Sequence, residues 1–325
     1  MLKVLYLANY APAEVGSGAL NHTPEGNQPK YHKEIFDILE EIGLLVVPSR
    51  NAQTLIDNWS EFDYVFSLLN RAKYRNSEIL VSALCEYFGL PYLGAHPNVR
   101  AVAEDKQVAK LVAKQFGFNV PRSKVYQNLS DVNSSPGFAG PYIAKLRYGA
   151  SSKHITENCI QDSWAEIKPE VRRLLDLNDD DVIVEEFIDG TNISMPVIGG
   201  LPPTVLPAYQ LRSEKKGQLV TYDQKRHLDG GMTRSILEDQ AVYDQLRTRT
   251  LALYSELQPL DYFRMDFRLT SQNVPVFLEF NVCCNIGSKS GFSFCGERLG
   301  FSHKEIVTKI LRHSFERQKI AWQAF

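Results

Sequence analysis

Phe263-Arg264-Met265-Asp266-Phe267-Arg268-Leu269 and Val276-Phe277-Leu278-Glu279-Phe280-Asn281-Val282 are two strand-like runs joined across the short polar stretch Thr270-Ser271-Gln272-Asn273. In the first, Phe263, Met265, Phe267 and Leu269 alternate with Arg264, Asp266 and Arg268. In the second, Val276, Leu278, Phe280 and Val282 alternate with Phe277, Glu279 and Asn281. Side chains two apart share a strand face, so a hairpin would set Arg264 and Asp266 beside Glu279 and Asn281. Two carboxylates and a carboxamide oxygen suit a hard cation such as Mg²⁺. Arg264 could neutralise a phosphoryl group or an oxyanion. A half-exposed hairpin with its polar side facing water fits these residues equally well.

Upstream, Pro141–Ile155 reads as a strand running into a Gly/Ser loop, with Lys145 late in the strand, just before Gly149, Ala150, Ser151 and Ser152. Small residues let backbone N–H groups approach phosphate oxygens, and a lysine adds charge. The spacing is not that of a P-loop, and a simple turn has the same composition. Val182–Phe187 is an apolar strand containing Glu185 and Glu186, either a solvent-bound edge or a connector whose backbone and Glu185 meet a base edge. Lys225 and Arg226 lie on a polar, glycine-flanked stretch that reads as a mobile lid or an ordinary loop.

The first ~95 residues alternate strand and helix signals: Lys3–Leu7, a helix over 29–42, strands near 44–47 and 64–68, and a helix over 77–88 that stops at Gly89. This order predicts a small parallel sheet with helices on its faces. One amphipathic helix is expected over 98–116. Helices near 163–175, 240–257 and from Ser302 complete an α/β chain whose C-terminal half is α+β. We expect three units: 1–97, 98–188 and 189–325.

With 325 residues and a formal net charge of −2, the chain can bury a sizeable core and lacks the basic excess of a nucleic-acid binder. No apolar run has the length of a membrane span, and the N-terminus reads as a buried strand, not a leader. Cysteines at 85, 159, 283, 284 and 295 fit neither a zinc site nor a disulfide framework. A reducing, cytoplasmic setting is the simplest expectation.

The order of these segments resembles the ATP-grasp superfamily, and within it the D-alanine–D-alanine ligase group, from about Tyr64 to Leu311. The stretch from Gly89 to Ser123 contains Asp105-Lys106, similar to the family's first nucleotide lysine. Tyr142–Ser152 looks like the second-lysine strand and phosphate loop. Val182–Gly190 looks like the adenine hinge, Thr221–Lys225 like the lid, and Arg264-x-Asp266 with Glu279-x-Asn281 like the metal motif. The resemblance implies an ATP-grasp fold behind a Rossmann-like N-terminal domain, with ATP and two Mg²⁺ ions as cofactors and Mn²⁺ as an alternative. It implies nucleotide contacts from Lys106, Lys145, Gly149, Ser151, Ser152, Glu185, Glu186, Phe187, Ile188, Asn192 and Lys225. It implies metal ligation by Asp266, Glu279 and Asn281, catalytic roles for Arg264, Lys225 and Ser151, and substrate contacts from Glu14, Arg226, Lys289 and Ser290.

The reaction so implied joins a small-molecule carboxylate to an amine through an acylphosphate, on amino acids, in a cytoplasmic homodimer that uses neither nucleic acid nor membrane. The sequence also departs from the family. Leu68–Glu78 replaces the usual His-Gly…Gly-Glu-Asp-Gly segment, Asn192 stands where a ribose-binding glutamate is usual, and Arg226 and Lys289 replace a tyrosine and a histidine. Arg71, Lys73 and Arg75 add further positive charge. These changes predict a specificity different from D-Ala-D-Ala, with an authentic D-alanine–D-alanine ligase, a ligase acting on a peptide tail, or a non-catalytic ATP-binding module as alternatives.

Overall fold

The computed structural model describes residues 1–12, 28–69, 77–148, 154–178, 180–213 and 232–322. Glu14, Arg71, Lys73, Arg75, Gly149, Ser151, Ser152, Lys225 and Arg226 lie outside the described residues.

The chain opens with β1 (Lys3–Leu7), α1 (Gln28–Glu41), β2 (Leu45–Ser49), α2 (Gln53–Asn58), β3 (Tyr64–Ser67) and α3 (Ile79–Phe88). The three strands form a parallel sheet in the order β2-β1-β3, as the alternating signals predict. Gly89 ends α3 in the left-handed conformation, φ 65°, where a side chain would be strained.

The expected single helix over 98–116 is broken. The structure has α4 (Pro97–Glu104) and α5 (Lys106–Gln115), with Asp105 extended between them at φ −88°, ψ 99°. Oδ1 of Asp105 accepts the N–H groups of Gln107 and Val108 at 3.0 and 3.1 Å. An aspartate that can satisfy these donors makes a new helix start as favourable as continuation.

Next come β4 (Ser123–Tyr126), β5 (Tyr142–Leu146), β6 (Ile160–Gln161), α6 (Trp164–Asn178) and β7 (Val182–Glu186). They build an antiparallel sheet in the order β4-β7-β5-β6. The last part holds β8 (Thr191–Ile198), β9 (Thr204–Val205), β10 (Tyr209–Ser213), β11 (Met232–Ile236), α7 (Gln240–Glu256), β12 (Tyr262–Leu269), β13 (Pro275–Asn281), α8 (Gly291–Glu297) and α9 (His303–Arg317). Its sheet runs β11-β10-β8-β12-β13, with β9 on β8.

One face of this sheet is apolar: Ile193, Met195, Val197, Phe263, Met265, Phe267, Phe277 and Phe280 pack with Ala109 and Ala113 of α5 and Leu246 and Leu253 of α7. Here the strict alternation expected of β13 fails. Asp266 pairs with Glu279 but Phe267 pairs with Phe277, so Leu278 is an extra residue. The bulge shifts the phase, burying Phe277 fully beside Phe280.

A second core runs from the first sheet to the end of the chain. It joins Tyr6, Tyr64 and Phe66 to Ile306, Ile310 and Phe315 of α9. The Tyr64 hydroxyl lies 2.7 Å from Ser314 Oγ. Asp261, fully buried, binds Arg317 at 2.9 and 3.0 Å and accepts the Gly94 N–H at 2.8 Å.

Candidate active site

The polar face of the large sheet is built by register. Asn281 and Glu279 on β13 stand opposite Arg264 and Asp266 on β12, and Pro196, Ser194 and Asn192 on β8 stand opposite Arg264, Asp266 and Arg268. The two polar pairs of the hairpin therefore meet as the sequence predicts.

Asp266 accepts four hydrogen bonds. Oδ1 takes Ser194 Oγ at 2.6 Å and Arg264 Nε at 2.8 Å; Oδ2 takes Arg264 Nη2 at 2.6 Å and Asn281 Nδ2 at 3.0 Å. Burial opposes the Arg264 charge, yet Asp266 beside it holds the guanidinium firmly protonated. Because Asn281 gives its amide nitrogen to Asp266, its oxygen points elsewhere. That oxygen with Asp266 and Glu279 makes an oxygen-only donor set, and the residues present fit a hard divalent cation.

Lys106 opens α5 and lies buried near Glu279. Burial pulls its pKa down, and Glu279 is the strongest opposing influence. Its placement depends on Arg147, which grips Asp105 through Nε and Nη2 at 2.9 and 2.7 Å and Asp181 through Nη1 at 3.0 Å. The Arg147 carbonyl accepts the Lys106 N–H at 3.1 Å.

Glu185 does not face outward. It is 1% exposed and lies between two lysines, Lys110 Nζ at 2.5 Å from Oε1 and Lys145 Nζ at 2.8 Å from Oε2. Its carboxylate clamps Lys145 and Lys110 together from within. Lys110, overlooked in the sequence, is 2% exposed and also donates to the Lys106 carbonyl at 3.0 Å. Burial pushes its pKa down to about 8. Its signal was available: it sits one turn after Lys106, beside Ala109 on the buried side of α5.

Glu186 points to the rim and pairs with Arg122 at 3.0 and 3.1 Å. The Phe187 N–H donates to the Pro141 carbonyl at 2.8 Å, and Phe187 and Ile188 are half-buried. Asn192 sits on β8 opposite Arg268 and Leu211.

Ser290 is buried and caps α8, its Oγ accepting the Ser293 N–H at 3.2 Å. Sequence reading missed this short helix. Lys289 is exposed, and its carbonyl accepts Arg234 Nη1 at 2.6 Å. Tyr209 links this corner to the hairpin: it stands opposite Ser194 on the neighbouring strand, and a Cβ on Gly291 would fall 2.4 Å from its hydroxyl. Only a glycine after Ser290 leaves room for that ring.

Behind Lys106 lies a buried acid pair. Glu104 Oε2 accepts the Glu78 N–H at 3.2 Å, and burial followed by the Glu78 charge pushes the Glu104 pKa up to about 8. From the ordinary carboxylate range to about pH 8 the folded chain keeps a proton that the unfolded chain releases, so stability falls as pH rises through that window. Glu104→Gln retains an acceptor and cannot ionise. Melting curves should show it close to wild type at pH 5 and more stable by a few degrees at pH 8.5, by about 2 °C or more per kcal/mol regained. Equal melting at pH 8.5 would mean Glu104 carries no such burden.

All five cysteines are buried thiols outside any disulfide. Burial raises Cys283 to about 12 and pushes Cys284 higher still, which suits packing and not nucleophilic chemistry. No helix among the described residues is long and apolar enough to cross a membrane.

Comparison with known proteins agrees with this geometry. The family profile described as D-ala D-ala ligase C-terminus matches residues 141–312. A D-alanine–D-alanine ligase of Aquifex aeolicus is 27% identical over 232 residues, covering 71% of this chain and 76% of its own length. Among solved structures, the ATP complex of the Bacillus anthracis D-alanine–D-alanine ligase superposes with a TM-score of 0.74 at 16% identity, covering 98% of this chain and 99% of that one. The VanG D-Ala:D-Ser ligase of Enterococcus faecalis gives 0.69 at 15% identity, with 96% and 99% covered. At such identities the superpositions speak for the fold, which is ATP-grasp, while the profile spans more than half of the sequence. The chain belongs to the D-alanine–D-alanine ligase family of ATP-grasp ligases.

Proposed function

We propose that this chain uses ATP and Mg²⁺ to join the carboxylate of one amino acid to the amine of a second through an acylphosphate. The observation that carries the reading is the facing of Arg264 and Asp266 against Asn281 and Glu279, with Lys106 beside Glu279. A divalent ion, or a pair, held by Asp266, Glu279 and Asn281 would neutralise phosphate charge. Lys106 and Lys145 hold the α- and β-phosphates, and Lys225 and Ser151 complete the γ-phosphate end. Phe187, Ile188 and the hinge backbone take the base, with Asn192 toward the ribose. Arg264, fixed by Asp266, stabilises the oxyanion that forms when the acyl carbon is attacked. No side chain acts as covalent nucleophile; the work is positioning and charge stabilisation.

On the substrate side, Glu14 would hold the donor's amino group, and Ser290, with Lys289 and Arg226 nearby, the acceptor's carboxylate. We infer a specificity different from D-Ala-D-Ala, motivated by Lys289, Arg226 and the replaced segment 68–78. The named relatives favour a second reading, an authentic D-alanine–D-alanine ligase. ATP-dependent phosphate release across a panel of D- and L-amino acids, with product masses, separates them. Fastest turnover with D-alanine alone would establish the second reading. No release with any amino acid, despite ATP binding, would point to a peptide substrate or a binding module.

A further inference from the structure

Arg268 is a cation that the proposed reaction does not use. It lies two residues beyond Asp266 on the same strand face, opposite Asn192. Its side chain runs toward the hinge: Nη1 donates to the Gly190 carbonyl at 3.2 Å, and Cζ lies 5.7 Å from the centroid of the Phe187 ring. The guanidinium therefore lies at the hinge, on the strand that also carries Asp266. A nucleotide whose base sits at the hinge and whose phosphates reach Asp266 must pass over it.

Gly190 holds the two parts together. A Cβ there would fall 2.1 Å from the Leu269 carbonyl oxygen, so the hinge end and β12 touch backbone to backbone. That contact fixes the turn without help from Arg268. A half-buried arginine here is costly: burial lowers its pKa, and Asp189 is the charge that offsets this. Among the described residues no acid forms an ion pair with it. The Gly190 carbonyl engages one of five donors, and the Phe187 ring lies to one side of the guanidinium.

We propose that Arg268 is a nucleotide-specificity residue, its guanidinium plane lying against the purine base and forming, with Asn192 opposite, the floor of the nucleotide site. Arginine stacks on π-systems through a flat, weakly hydrated cation, which lysine cannot reproduce. The inference rests on the ATP reading of the site.

The test is calorimetric titration of the full chain and its Arg268→Ala, Arg268→Lys and Arg268→Gln variants with Mg·ADP and with Mg·tripolyphosphate, which has no base. Stacking predicts that Ala and Lys weaken ADP binding by about 5- to 10-fold, that Gln, which keeps a plane, loses less, and that tripolyphosphate changes by less than about twofold throughout. Lys matching wild type for ADP, or tripolyphosphate weakening as much as ADP, would show a charge effect alone and overturn the stacking. Unchanged ADP affinity in Ala and Gln would remove Arg268 from the site. Wild type failing to bind ADP at all would instead overturn the nucleotide reading underneath. The Lys variant keeps most of the length and a donor for Gly190, and Gln keeps a planar amide on a shorter stem, so the comparison survives if Ala melts early.

Discussion

Asp266→Ala should reduce ATP-dependent phosphate release by at least about 10²–10³-fold, the range for loss of one group that stabilises developing charge. The expectation comes from how much the carboxylate organises. It orients Arg264 through two hydrogen bonds, fixes the amide of Asn281, and takes Ser194 from the next strand. Removing it would strand a half-buried guanidinium without its two acceptors, which costs stability as well as activity. Lower melting temperature should therefore accompany lower activity. Asp266→Asn keeps the shape and one acceptor oxygen, so it separates the two effects. Its melting point should lie between those of wild type and Asp266→Ala, while its phosphate release stays near the Ala level. An Asn variant that kept more than about a tenth of wild-type turnover would exclude Asp266 from charge stabilisation.

Lys110→Met should damage the site from within. It leaves one oxygen of the buried Glu185 without its cation, at about 3–5 kcal/mol of stability. Lys145, the remaining ion-pair partner of that carboxylate among the described residues, should be drawn inward and away from phosphate. We expect the KM for ATP to rise about tenfold or more, with a smaller change in kcat, since a lost phosphate contact weakens ground-state binding. The double variant Lys110→Met with Glu185→Gln removes the uncompensated charge and should melt higher than Lys110→Met alone. A double variant no more stable than the single would show that the two residues are not coupled.

The hairpin was legible because strand alternation is local: a two-residue period shows which side chains share a face before any long-range contact is known. The parallel β2-β1-β3 sheet was legible for the same reason. The bulge at Leu278 was not, since Leu278 and Phe277 are both apolar and either could face the core. The break at Asp105 was hidden by an unbroken run of helix-forming residues; it depends partly on Arg147, 42 positions away. The Lys110–Glu185 pair was invisible because the two residues lie on α5 and β7 and meet only when the helix packs. Placement of Lys106, Lys145, Asp266, Glu279 and Asn281 could be expected from ordered motifs. What the residues around them do could not, because it rests on pairings between distant segments.

The last helix has a consequence for how the chain is made. Ile306, Ile310 and Phe315 fill the core that also holds Tyr6, Tyr64 and Phe66, and Arg317 closes on Asp261, which holds Gly94. β1 and β3, synthesised well before α9, thus wait for that helix before their apolar faces are covered. A ribosome-bound chain halted before His303 would expose those faces to water. Stalled chains of this length should bind general chaperones and resist proteases poorly, and both properties should reverse once the chain extends past Gln318, whose side chain donates to the Tyr92 carbonyl at 3.0 Å.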